Sequence, residues 1–185
     1  MKKAILLTTT MLSLAGLTGA AFAETPAQGA APSPMAAGTL DKQDTDFVED
    51  AVQGGLLEVR LGQLAVKQGA TDDVRKFGQR MIDDHTKINT RLTEIGHDKK
   101  GLAVPQELDK KHKDLVDKLA GYTGAKFDRE YMERMVDDHQ NDVKAFEKQA
   151  KEGKDPELKA LAASSLPTLL DHLSLAKEID ARVKK

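Results

Sequence analysis

Four polar residues stand at positions where a helical chain calls for apolar ones: Glu58, His85, His139 and His172. Each falls near the middle of its own long stretch of helical periodicity. Burying a carboxyl or an imidazole without a partner costs about 2 kcal/mol or more. These groups must therefore meet one another, water or a metal ion. Imidazole nitrogen with carboxylate oxygen is the donor set for one transition-metal ion such as Zn, Cu, Fe or Mn. A short repeat runs beside them: Arg80-Met81-Ile82-Asp83-Asp84-His85 recurs as Arg134-Met135-Val136-Asp137-Asp138-His139, and Asp171-His172 echoes its end. Met81 and Met135 sit one turn before their histidines, where a thioether would suit a soft ion. Asp84, Asp138 and Asp171 lie one position off the seam, placed to hold a neighbouring helix's imidazole in position. A histidine on a seam is more often a satisfied core residue than a ligand, and the two methionines read equally well as core filler.

The elements that would position these groups are all helices. Phe47, Ala51, Gly54, Glu58, Leu61 and Ala65 recur at steps of four and three, predicting a first helix from about Asp46 to Lys67. Thr71 with Asp72 and Asp73 opens a second helix carrying Val74, Gly78, Met81, His85, Ile88, Leu92 and Ile95. A third long helix over about Ala125 to Lys151 presents Met132, Val136, His139, Val143 and Phe146. Asp155-Pro156-Glu157 starts a fourth, with Leu158, Ala162, Ser165, Leu169, His172, Ala176 and Ile179 on one face. No window alternates with period two. Two tight turns make two antiparallel pairs, and the long Lys100–Gly124 connection holds a short helix with Leu108, His112, Leu115 and Leu119. Such a connection crosses the length of a bundle. The prediction is an all-α, ferritin-like four-helix bundle with one long crossover over residues 44–184.

Register leaves two alternatives: long side chains bridge an offset of one turn, or there is no single site. Counting back from the turns puts His85 level with Gly54 rather than Glu58, and His172 level with Met135 rather than His139, an offset of about one turn, ~5 Å. A di-iron centre is disfavoured, because Ile82, Val136 and Leu169 stand where the Glu of each Glu-x-x-His would be. Gly54-Gly55 reads as a close helix contact, and Pro167 inside the fourth helix as a bend that positions His172.

Composition bounds the rest. The 185 residues carry a formal charge of -2, with 31% charged and 39% hydrophobic residues, and no Cys. There is no basic excess for nucleic acid, no thiolate site and no disulfide framework. Lys2 and Lys3, the apolar run Ala4–Leu17 and Ala21-Phe22-Ala23 form a signal peptide over residues 1–23, cleaved after Ala23, which predicts an exported, periplasmic protein. Residues 24–43, with Pro26, Pro32 and Pro34, read as a flexible tether, and no later stretch has the ~20 apolar residues of a membrane span.

The stretches Phe47-Val48 with Gly54-Gly55-Leu56-x-Glu58-Val59-x-Leu61-Gly62, Met81–His85, Phe127-Asp128-x-x-Tyr131, Met135–His139 and Leu166-Pro167-Thr168-Leu169-x-x-His172-Leu173 together resemble the exported bacterial family catalogued as domain of unknown function 4142. The resemblance implies a ferritin-like bundle in the bacterial envelope and brings no reaction with it. No catalytic residue is assigned. Two functions follow from the residues: a periplasmic bundle holding a metal ion, with a role under stress, or a non-enzymatic interaction module whose polar seam only fixes helix register.

Overall fold

The computed structural model describes residues 39–185 except Lys100, and no side chain of Asp98 or Lys99. The predicted signal peptide and residues 24–38 of the predicted tether lie outside these residues, while Asp41 caps the first helix and Lys42 and Gln43 belong to it rather than to a tether. Five α-helices follow in order: α1 (Lys42–Gln68), α2 (Asp72–Thr93), α3 (Lys110–Ala120), α4 (Gly124–Glu152) and α5 (Pro156–Val183). No strand occurs among the described residues. The predicted elements form, with one difference. The second helix does not run regularly to its end, because Glu94–Lys99 widens into a π-helical segment. Gly96 there presses against Val104 and Val48, where an added Cβ would lie 2.9 and 3.1 Å from their methyls.

Side-chain caps start four of the helices. Asp41, Thr71, Asp109 and Asp155 each accept a backbone N–H of the first turn of α1, α2, α3 and α5. Two buried acids then tie one antiparallel pair to the other. Asp44, in the first turn of α1, accepts from the amide of Gln149 at 2.6 Å and from the backbone N–H of Asp155 at 2.6 Å, in the α4–α5 turn. Asp128, near the start of α4, accepts from the N–H groups of Ala70 and Thr71 at 2.8 and 2.9 Å, in the α1–α2 turn. Each pair's turn is thus held by a carboxylate of the other pair. These contacts set α4 antiparallel to α1, so α2 and α4 run parallel and the crossover through α3 is the one the loop lengths predict.

The core is two apolar clusters. One, at the α1–α2 turn, includes Leu61, Val74, Phe77, Met81, Phe127, Tyr131, Met135 and Ile179. The other, at the α4–α5 turn, includes Val48, Val52, Leu92, Phe146, Leu158 and Leu169. Between them lie Glu58, His85, His139 and His172, at most 3% exposed. The interior is greasy at both ends and polar at its waist.

Glycines set the approach of α1 to α2. A Cβ on Gly62 would stand 2.6 Å from the Gly78 carbonyl oxygen, and one on Gly78 2.7 Å from the Ala65 Cβ. Backbone cannot yield as a side-chain tip can. Gly62→Ala is expected to destabilise the fold by about 1–3 kcal/mol, although alanine is the better helix former. Urea unfolding checks this, and a more stable variant would show that the helices can part without loss. Gly55 closes on the side chain of Asn89, as its sequence context predicts, whereas Gly54 makes no close contact: its Cβ would meet only Asp142 Oδ1, at 3.8 Å.

Candidate metal centre

Each long helix contributes to the waist: Glu58 from α1, Asp84 and His85 from α2, Met135, His139 and Asp142 from α4, and His172 from α5. The one-turn offset that counting predicts does not keep them apart. A helical side chain leans toward its own N-terminus and covers the turn before its Cα. In an antiparallel pair two residues offset toward the C-terminal sides lean back toward each other. Glu58 and His85 meet this way, Oε2 to Nδ1 at 2.7 Å. His139 and His172 do the same across α4 and α5, Nε2 to Nδ1 at 3.3 Å.

The three imidazoles form a triangle with ring centroids 5.3, 5.4 and 5.5 Å apart. Their outer nitrogens are all engaged. His139 Nδ1 lies 2.9 Å from the Met135 carbonyl oxygen, His172 Nε2 lies 3.1 Å from Asp84 Oδ2, and His85 Nδ1 meets Glu58. A carbonyl only accepts, and Asp84 is an acid whose pKa is lowered: burial pushes it up, but Lys87 and His172 outweigh that. These acceptors assign the tautomers, with Nδ1–H on His139 and Nε2–H on His172. The 3.3 Å contact between His139 Nε2 and His172 Nδ1 is then one lone pair facing another. His85 Nε2, buried with them, makes no hydrogen bond. One nitrogen from each ring comes within 4.8 Å of the others. Two inward lone pairs thus face each other, with a nitrogen of His85 within 4.8 Å of both.

Electrostatics keep those lone pairs free. Burial, reinforced by repulsion from His85 and His172, holds His139 down to about 3. Burial and His85 hold His172 down to about 4. Burial lowers His85 as well. On the other side of the rings, burial and then the Asp138 charge push the Glu58 carboxyl well up, and burial and then Glu58 push Asp142 well up.

The remaining residues that the sequence singles out divide by their neighbours. Asp84 holds an imidazole of another helix, the role its position suggests. Asp138, its counterpart in the repeat, instead pairs with Arg134 one turn back at 2.5 Å. Asp171 pairs with Arg80 at 2.5 Å on the surface, outside the site. Met81 and Met135 are fully buried in the apolar cluster beside the waist, and Met135 enters the site through its carbonyl. Glu58 stands behind His85, on its Nδ1 side. Asp142 is the residue sequence reasoning misses, one turn after His139 on α4. With Glu58 and His139 it forms a second close group of donor atoms.

An all-α bundle with three converging imidazoles at its waist is thus the class that fold and site define. The chain belongs to the family described as domain of unknown function 4142, whose sequence model matches residues 29–179. Among solved structures it is similar to a DUF305 fragment from Deinococcus radiodurans, at TM-score 0.67 and 14% identity over 78% of this chain and 99% of that one. It is also similar to CopM in its Cu(II)-bound form, at TM-score 0.64 and 17% identity over 75% and 96% of the two chains. The Cu(I)-bound form of CopM gives TM-score 0.59 and 17% identity over 73% and 93%. At these identities the likeness is one of fold. No curated protein matches the chain in sequence. No helix among the described residues is long and apolar enough to cross a membrane.

Proposed function

We propose that this is an exported, periplasmic protein that binds one transition-metal ion through His85, His139 and His172, with copper ahead of zinc. The observation that carries the reading is the convergence of three buried imidazoles, two of them with inward lone pairs, whose opposite nitrogens are all held. Histidine ligands commonly donate their second ring nitrogen to a carboxylate or a backbone carbonyl, which fixes the ring and raises its basicity. Glu58, the Met135 carbonyl and Asp84 supply those three acceptors. For metal–nitrogen bonds of 2.0–2.1 Å, two ligands of a tetrahedral site are about 3.3 Å apart, and His139 Nε2 and His172 Nδ1 lie 3.3 Å apart. Nitrogen sites favour Cu(II) over the other divalent first-row ions. CopM, similar in fold, is known in Cu(II)- and Cu(I)-bound forms. The signal peptide read at the N-terminus supports the periplasm.

Binding rather than turnover is the better reading. The centre is enclosed between apolar clusters, with the Phe77 ring edge-on to His139 and His172 at 6.3 and 6.5 Å, and it lacks the bridging carboxylates of a di-iron oxidase. A purely structural seam would satisfy its polar atoms internally. This one leaves His85 Nε2 without a partner and sets two lone pairs face to face. Titration of metal-free protein with Cu(II) is expected to saturate at one ion per chain, and this saturation should disappear in His139→Ala. A metal-free protein that takes up no stoichiometric ion would return the seam to a structural role.

A further inference from the structure

The α1–α4 face holds a groove of about 690 Å³ whose lining is mostly apolar, with Phe47 and Phe146, and carries Asp50, Asp142, Lys148 and the Lys42–Asp46 pair. Lys42 is tied to Asp46 at 2.6 Å, which leaves Asp50 and Asp142 as the other acids of the lining and Lys148 as its other base. Asp142 belongs both to this groove and to the donor group it forms with Glu58 and His139, whose donor atoms lie within 4.8 Å of one another. Behind it, Glu58 Oε1 is buried, 3.3 Å from His139 Nδ1. Gly54 faces the same point. A glycine inside a helix costs about 1 kcal/mol relative to alanine, and Gly55, Gly62 and Gly78 each answer a close contact that Gly54 lacks. A side chain at Gly54 would begin in van der Waals contact with Asp142 Oδ1, at 3.8 Å, so anything larger than a methyl would crowd that carboxyl.

The other faces are less inviting to a cation. Both ends of the waist are closed by the apolar clusters. On the α2–α5 face, Asp84 in front of His172 carries Lys87 at 3.0 Å and Arg80 at 3.6 Å, so positive charge stands before the imidazole.

We infer that the α1–α4 groove is the route by which the metal cation reaches and leaves the histidine cluster, with Asp142 the positioning residue that passes it by Gly54 to Glu58 and the imidazoles. The inference rests on the metal-binding reading above. Carboxylate oxygens take over a hydrated ion's water ligands in steps, first Asp142 and then Glu58, before nitrogen captures it. A relay of this kind speeds entry and exit alike. Its loss slows both and leaves the equilibrium affinity nearly unchanged.

The test is stopped-flow loading of the metal-free full chain with Cu(II), and removal of the bound ion by excess chelator. Wild type, Asp142→Asn, Gly54→Leu and the surface variant Asp171→Asn are compared, each checked for helicity by circular dichroism. Asp142→Asn keeps the shape of the side chain and remains informative even where Gly54→Leu folds poorly. Asp142→Asn and Gly54→Leu are expected to slow loading and release together, by about tenfold or more, with Kd within about threefold of wild type. Asp171→Asn should behave as wild type. Wild-type rates in Asp142→Asn would overturn the route, as would a weakened Kd at an unchanged loading rate, which would make Asp142 a ligand. A wild type that binds no stoichiometric Cu(II) would overturn the metal-binding reading itself, and is distinguishable from either result.

Discussion

His139→Ala should remove high-affinity metal binding and, with it, the rise in melting temperature that the ion confers on the wild type. His139 has its ring 5.4 and 5.3 Å from those of His85 and His172 and turns its Nε2 toward His172. A nitrogen-bound structural ion has a total binding free energy of about 10–16 kcal/mol. Shared among three or four ligands, one imidazole is worth about 3–4 kcal/mol, or about 10²–10³-fold in Kd. At an ion concentration of 100 Kd the wild type gains about 2.7 kcal/mol, which raises Tm by roughly 5–10 °C for a domain of this size. The variant at the same concentration should gain almost nothing. Met135→Leu makes the matching control, because the Met135 carbonyl rather than its sulfur touches His139. It should bind as the wild type does. A thermal shift of equal size in wild type and His139→Ala would place the ion elsewhere on the chain.

Acid should weaken the metal-free protein well before it reaches the pKa values of exposed carboxylates. His139 and His172 are held down to about 3 and about 4, and His85 is lowered from its usual 6.5. The unfolded chain takes up protons near pH 6.5, whereas the folded imidazoles refuse them. Their contribution to stability is complete above pH 6.5 and is lost as pH falls from there toward 4. Each imidazole gives a slope of about 1.4 kcal/mol per pH unit. Glu58 and Asp142 work the other way. Their raised pKa values make the folded state the better proton acceptor, so their part of the stability grows as pH falls toward the ordinary carboxyl range. Three imidazoles outweigh two carboxyls. Urea midpoints should fall between pH 7 and pH 5, and more steeply in Asp142→Asn, where one opposing group is gone. The bound ion should leave over the same range, because a protonated imidazole cannot ligate. A midpoint that is flat or rises on acidification would mean that the rings are protonated in the fold.

Helix number, pairing and crossover were legible in the chain because the seams repeat at steps of three and four and the turns are short. The members of the waist were legible for a related reason: Glu58, His85, His139 and His172 break otherwise apolar stripes. Their ability to meet was left open by counting Cα levels, which ignores the lean of helical side chains toward the N-terminus. What each residue does there was not legible. Asp84 and Asp138 sit in nearly identical local sequence, yet one faces His172 of α5 and the other Arg134 of its own helix. Glu58 and the histidines differ in role through ring orientation, which is set by acceptors on other helices. Asp142 lies off the histidine stripe, and only its grouping with Glu58 and His139 gives it meaning. The π-helical Glu94–Lys99 segment was equally hidden, since it follows from how Gly96 packs against Val48 and Val104.

X-ray absorption spectroscopy of the copper-loaded protein tests the central claim most directly. The expected spectrum has a first shell built on three nitrogens at about 2.0 Å, with the outer-shell scattering of imidazole rings, and loses one ring's contribution in His139→Ala. A sulfur shell near 2.3 Å, an all-oxygen shell, or a spectrum unchanged by His139→Ala would contradict it.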